Sequence, residues 1–171
     1  MRWTRRCNID ETDALSKYKD RADFGLRRAA MARVSHELGP WDIDLFAAPH
    51  NAVCPRFCSL FDTPEAVCGD AFSRSWAGEF GFILPEFGHG FINRVLDKIE
   101  RDDAVVVCVV PWWPSKSFWG RLQSGAWRAR IVASFTLGPD SLIPHRANRQ
   151  HCFFGGSFDS PLFAFRTRRI E

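Results

Sequence analysis

No apolar run in this chain approaches the roughly 18–20 residues that a membrane span needs. Ala104–Val110 is far too short, so no membrane-spanning segment is expected. Met1–Arg6 is basic, but no apolar stretch follows it, so no secretory signal is expected either. Internal repeats and low-complexity segments are absent, which leaves an ordinary globular chain. A zinc pattern is also lacking. His50, Cys54 and Cys58 are each separated by three intervening residues, a spacing that fits no zinc motif, and a fourth ligand is missing. No metal is expected. The six cysteines (Cys7, Cys54, Cys58, Cys68, Cys108, Cys152) are scattered. They read as free thiols of a reducing compartment, not as a disulfide scaffold. An intracellular location, cytoplasmic or nuclear, is the corresponding expectation.

What is present is a normal soluble composition: 171 residues, 46% hydrophobic and 25% charged. That is enough for one domain with a real core. Sixteen Phe and seven Trp against one Tyr support a large buried core and a stacking surface for bases. The net charge of +3 hides an asymmetry. Residues 1–38 carry +3, residues 39–114 carry −6 and residues 115–171 carry +6. An acidic middle suits a cationic small ligand, and a basic C-terminal third suits a polyanion. Solvated faces give the same counts.

Periodicity then proposes elements. Asp20–Leu38 reads as a helix stopped by Gly39-Pro40. Trp41–Phe46 reads as a strand, followed by a long loop or irregular helix over 47–65 broken by Pro49, Pro55 and Pro64. A short strand is expected over Ala66–Asp70 and a buried one over Phe80–Leu84. Phe91, Ile92, Val95, Leu96 and Ile99 form one apolar stripe, predicting a helix from Gly90 to about Arg101. Ala104–Val110 is an unbroken, mostly β-branched run, the mark of a central parallel strand covered on both faces. Ser115 is placed to cap a helix through Leu122. Arg128–Leu137 reads as a strand, Gly138–Gln150 as a basic loop. His151–Phe154 and Pro161–Arg166 read as a terminal hairpin. The alternation gives a doubly wound, three-layer α/β fold, mostly parallel, with an antiparallel C-terminal hairpin.

The stretch Gly39–Asn51 concentrates the interest. Asp42 and Asp44 lie two apart, so on a strand they share a face, with Ile43 and Leu45 on the other. An acidic strand leading into a loop of small and polar residues is the usual approach to a ligand crevice in an open α/β sheet. An edge strand with solvated carboxylates explains the same pattern.

Two resemblances attach to these residues. Asn8, Asp13-Ala14-Leu15-Ser16-Lys17 and Asp20-x2-Asp23-Phe24 resemble the last segment of a retroelement ribonuclease H, with Asp13 as its final catalytic carboxylate. That chemistry needs four carboxylates around two metal ions. The other three would lie upstream of Met1, so ribonuclease H activity is not expected. The second covers about Gly39 to Leu137. Its blocks are Gly39–Ala47 with Asn51-Ala52, Asp70-Ala71-Phe72 with Trp76, Phe82–Phe87, and Val107–Pro114 with Trp119. In this order they are similar to the domain that follows ribonuclease H in DIRS-type (tyrosine-recombinase) retrotransposons, which resembles phage Dam-like DNA adenine-N6 methyltransferases. Residues 1–38 would then be the ribonuclease H tail with a linker helix, and 39–171 the methyltransferase-related domain.

The resemblance implies a Rossmann-like, methyltransferase-type sheet, S-adenosylmethionine as cofactor and DNA as partner. Asp44, Phe46 and Asp70 would contact the cofactor. Pro85, Glu86 and Phe87 would stand in the catalytic Asp/Asn-Pro-Pro-Tyr/Phe motif, whose first side chain accepts a hydrogen bond from the target amine. Here that first position is Leu84, which has no acceptor. Losing an acceptor that acts on the transition state typically costs about 10²–10³ in rate, so an impaired enzyme is expected. The alternative is a non-catalytic, nucleic-acid-binding or structural remnant of the retroelement polyprotein. No Gly-x-Gly loop follows the first strand. Trp112 and Trp113 sit where a crevice wall is expected. Arg128, Arg130, Arg146 and Arg149, with His145, are candidate phosphate contacts.

Overall fold

The computed structural model describes residues 24–60, 63–88, 90–144 and 158–170. Its elements in chain order are β1 (Phe24–Leu26), α1 (Arg28–Leu38), β2 (Ile43–Asp44), β3 (Phe80–Ile83), α2 (Phe91–Asp102), β4 (Val105–Pro111), α3 (Ser117–Leu122), α4 (Gly125–Arg130), β5 (Ile131–Leu137), β6 (Leu142–Pro144) and β7 (Leu162–Thr167). Short 3-10 turns occupy Ala71–Ser73 and Pro139–Ser141.

The main sheet has the order β2-β3-β4-β7-β5. β2, β3 and β4 pair in parallel. β7 is antiparallel to both β4 and β5, so β5 runs the same way as β4. Beyond β2 the sheet continues through two single parallel bridges, Asp44 to Phe57 and Cys58 to Cys68. Across the sheet the order is therefore 67–68, 57–58, β2, β3, β4, β7, β5, and only β7 is reversed. The chain moves outward from β2 to 57–58 and 67–68, then returns to the other side of β2 as β3. Strand order thus reverses between β2 and β3.

Helices cover both faces. Phe135 lies opposite Ala164 and Phe165 opposite Ser134, so Phe135 and Phe165 point to opposite sides of the sheet. Arg33 of α1 stacks over Phe135, 4.4 Å from the ring centroid. On the other face Trp127 of α4 meets Phe165 and Trp119 of α3 meets Phe163 edge-on. Arg121 of α3 ties this layer to α2 through Asp97 (2.8 Å) and Glu100 (3.0 Å). The architecture is a mixed α/β domain with a multi-strand sheet flanked by helices.

Local chemistry explains the elements that sequence marked well. In α2 the positions Ile92, Val95, Leu96 and Ile99 are all buried, the spacing of one helical face. Asp103 closes the helix in the left-handed region with φ 46. Its carboxylate also holds Arg130 at 2.6 Å and accepts from the Ile170 amide. β4 is the core: Val106, Val107, Val109 and Val110 are at most 1% exposed. Each such valine contributes about 1.5–3 kcal/mol on burial. Gly39 ends α1 by close approach. Its N–H donates to Ser35 O, and a Cβ there would stand 2.6 Å from that oxygen. Pro40 follows and has no N–H with which to extend the ladder.

Five expectations need correction. The helix expected over 20–38 begins only at Arg28, because Phe24–Leu26 pairs with Leu142–Pro144 as an antiparallel ribbon. The strand expected over 128–137 starts at Ile131. Ser124 caps a helical turn before it, its hydroxyl accepting from the Trp127 amide at 3.4 Å. The terminal hairpin is not formed as expected, since β4 and β7 share one ladder and β5 and β7 the other. Both hydrogen-bonding edges of β7 are taken, and residues 151–154 lie outside the described set. Residues 47–65 are not all loop, because 57–58 joins the sheet. Ser115 does not cap α3; Lys116 takes that position without a side-chain cap. The described part of residues 1–38 packs into the same core, with Ala30, Val34 and Leu38 buried. Asp13 lies outside the described residues. Among the described residues no helix is long and apolar enough to cross a membrane.

Candidate functional site

Because every described position of the main sheet except β7 points the same way, the ends of 57–58, 67–68, β2, β3 and β4 share one edge of the sheet. The reversal of strand order lies between β2 and β3, and open α/β sheets bind ligands at such a point. Asp44 is the last residue of β2 and sits there.

Its carboxylate is 3% exposed. One oxygen accepts from the Phe46 amide (3.3 Å), the other from the Val53 amide (3.1 Å). Asp44 therefore ties together both ends of the loop 46–53. Burial raises its pKa from 3.8 to about 6, and the two amides only partly oppose that shift. The solvated edge-strand reading of this residue is thereby overturned. β2 is flanked on both sides and Asp44 is buried. Asp42, at the opposite end, is exposed and faces the Phe80 amide at 3.3 Å.

Phe46 continues the loop into an aromatic cluster. Its ring lies 5.3 Å from Phe72, 5.9 Å from Trp76 and 5.3 Å from Phe91. Arg94 stacks over Phe72 at 4.5 Å. Asp70 is exposed and caps the 3-10 turn that carries Phe72, its carboxylate accepting from the Phe72 amide at 2.9 Å. The structure thus brings Asp44, Phe46 and the Asp70 turn to one end of the sheet. It gives the two carboxylates backbone partners of their own.

The Leu84–Phe87 block follows β3 on the same edge. Leu84 is half-buried, Pro85 buried, Glu86 exposed and Phe87 buried. Phe87 packs on Phe24, Trp113 and Phe158. An open groove of about 110 Å³ runs beside it, lined by Phe87, Gly88, Asn93, Trp113, Lys116 and Ser117 among others. It lies between the segments that follow β3 and β4. Trp113 lines it, while Trp112 packs on Trp119 and Phe163. One of the two tryptophans thus faces the groove and the other the adjoining aromatic layer.

The chain matches no family model, no curated protein and no solved structure. S-adenosylmethionine is the group that the methyltransferase resemblance implies, and the residues as folded do not fit it. Each oxygen of Asp44 is engaged by a backbone amide of its own loop, and the side chain is buried away from any ligand. The loop 45–53 contains no glycine to let a ligand approach the backbone. Phe46 is wedged among three rings. The groove is well below the roughly 300–1,000 Å³ of a ligand pocket.

The candidate phosphate contacts separate likewise. Arg130 is held by Asp103 with its side chain 11% exposed. Arg128 is exposed and donates to Gln123 at 3.1 Å. Arg146, Arg149 and His145 lie outside the described residues.

The cysteines require a correction. Cys58 and Cys68 form a disulfide, with Cα atoms 4.8 Å apart. Cys54 is a free, half-buried thiol and Cys108 a free buried one. Burial pushes the Cys108 thiol far up, as its place in β4 leads one to expect. The apolar stripe of α2 leaves Lys98 to face outward, yet Lys98 is buried and pairs with Asp102 at 2.7 Å. Asp102 accepts from the Trp76 amide as well, at 2.8 Å. The (i, i+4) spacing of the pair was the available signal.

Proposed function

We propose that this chain is a domain related to the DNA adenine-N6 methyltransferases of DIRS-type retroelements, with methyl transfer impaired. The observation that supports the reading best is the strand order. A sheet whose order reverses beside Asp44, with a single reversed strand placed between β4 and β5, supports this reading, because open α/β sheets bind ligands where strand order reverses. Three of the blocks named from sequence also share one edge: Asp44 ends β2 there, and Asp70 and Leu84–Phe87 each follow a strand position.

The impairment has two physical sources. Leu84 presents no acceptor where charge on the target amine would have to be stabilised. The crevice beside Asp44 is closed by the loop that Asp44 itself holds. No step of methyl transfer is therefore assigned to these residues. DNA enters the proposal as a weak, salt-sensitive partner of the basic C-terminal third.

The test is calorimetry with S-adenosylmethionine, combined with methyl transfer to adenine-containing duplex DNA. Wild type is expected to give no transfer above background. Leu84→Asn restores an acceptor but leaves the crevice beside Asp44 closed, so it too is expected to give no heat of cofactor binding and no transfer. Robust transfer by wild type would overturn the impairment. The coding sequence on either side tests the relationship itself: a reverse transcriptase upstream and a tyrosine recombinase downstream are expected.

A further inference from the structure

We infer that the Cys58–Cys68 pair is a redox-operated latch on the crevice edge of the sheet. The latch is a property of the fold and does not rest on the methyltransferase-related reading. The two cysteines are bridge partners on the two outermost strand positions. Backbone support there is thin: the Val67 amide donates to Phe57 O (2.8 Å) and the Ser59 amide to Cys68 O (2.9 Å). β4 and β7, by contrast, pair over five residues. Both cysteines also lead straight into the site. The Cys58 amide donates to Asp44 O (2.8 Å), and Cys58 O accepts from the Ala47 amide (3.1 Å). Cys68 precedes Asp70 by two residues, and the Asp70 turn carries Phe72 onto Phe46. The S–S bond therefore joins the strand position hydrogen-bonded to Asp44 and Ala47 to the one that leads into the Asp70 turn.

The chemistry is ordinary thiol–disulfide exchange. Cys58 is 1% exposed and Cys68 half-buried, so attack is assigned to Sγ of Cys68, on the less buried of the two residues. A thiolate of a dithiol reductant bonds to that sulfur. The S–S bond breaks, and Cys58 leaves as a thiolate that takes up a proton. The second thiol of the reductant then attacks the mixed disulfide, releasing Cys68 as a thiol and the reductant as its disulfide. Two electrons and two protons pass to the pair. Cys54 is not the attacking group. Burial and then the charge of Asp44 push its thiol upward, and its Sγ is bound to Arg56 O at 3.0 Å, so little thiolate is present.

Hydrogen exchange on the full chain tests this, in oxidised glutathione and then in dithiothreitol, with alkylation to count free thiols. The cysteines are 10 residues apart in sequence. Loop closure over that length corresponds to about a hundredfold in the local opening equilibrium. Peptides over 63–73 are therefore expected to exchange about a hundredfold faster after reduction. β4 should be unchanged, and reoxidation should restore protection. Cys68→Ser in oxidising buffer is expected to behave like reduced wild type. Equal exchange over 63–73 in both states would overturn the latch. So would alkylation of Cys58 and Cys68 in oxidising buffer, or loss of protection throughout β4 on reduction, which would make the bond a staple of the whole fold.

Discussion

Substituting Asp44 by Asn tests whether the candidate crevice is organised around a desolvated carboxylate. The side chain is 3% exposed and its pKa rises from 3.8 to about 6. A shift of about two units corresponds to about 3 kcal/mol. The direction follows from linkage. A carboxyl that holds its proton more tightly in the folded chain favours folding when protonated. That stability is fully present below the unfolded pKa and is lost as pH rises through the folded one. Asp44 is thus expected to destabilise the fold between about pH 4 and pH 6, reaching about 3 kcal/mol above that window. Asn carries no charge and loses this pH dependence. It also turns an N–H₂ toward one of the two amides that Asp44 satisfies, a constant cost of about 1–3 kcal/mol. The assay is urea unfolding from pH 4 to 7.5 for both proteins. Subtracting the curves cancels every other titrating group and leaves the constant cost as an offset that does not vary with pH. The wild-type minus variant difference should fall by about 2.4 kcal/mol from pH 4 to pH 7, part of the effect being already present at pH 4. Parallel curves would refute a desolvated Asp44.

Two further outcomes concern the frame around the site. Asp102→Ala removes the partner of Lys98, whose side chain is 6% exposed, and the acceptor of the Trp76 amide. A loss of about 3–5 kcal/mol is expected from the denaturant midpoint, while Lys98→Met with Asp102→Leu together should be much milder. Thr167→Val removes a buried hydroxyl that accepts from the Val106 amide and donates to Ala104 O, both at 2.9 Å. Leaving these two groups unpaired is expected to cost about 1–3 kcal/mol in urea unfolding, with faster exchange of the Val106 amide.

Sequence reading worked where the signal was local. Val105–Val110 announces a strand buried on both faces, and it is the centre of the sheet. The stripe Ile92, Val95, Leu96 and Ile99 announces α2 to within a residue at each end. Reading failed where a local pattern had two meanings. Arg128-Ala129-Arg130-Ile131 alternates like a strand, yet Ser124 caps a helix whose buried anchor is Trp127. Before α1, Phe24 and Leu26 look helical until β6 offers them a ladder. At the site, alternation put Asp44 at the end of a strand. It did not show that 57–58 would cover the strand's far edge and bury the carboxylate. The loop residue Val53, whose amide Asp44 holds, carried no pattern at all.

By itself the sequence determined an α/β chain, the identity of its central strand and main helix, and the stretch in which Asp44 lies. These follow from side-chain spacing within one turn or one strand, which local geometry enforces. Only tertiary structure decided that β7 lies between β4 and β5, that Cys58 meets Cys68, and that Asp44 loses its water. Each of those depends on partners distant in the chain. The free energy of such a contact depends on which surfaces meet, and periodicity does not record that.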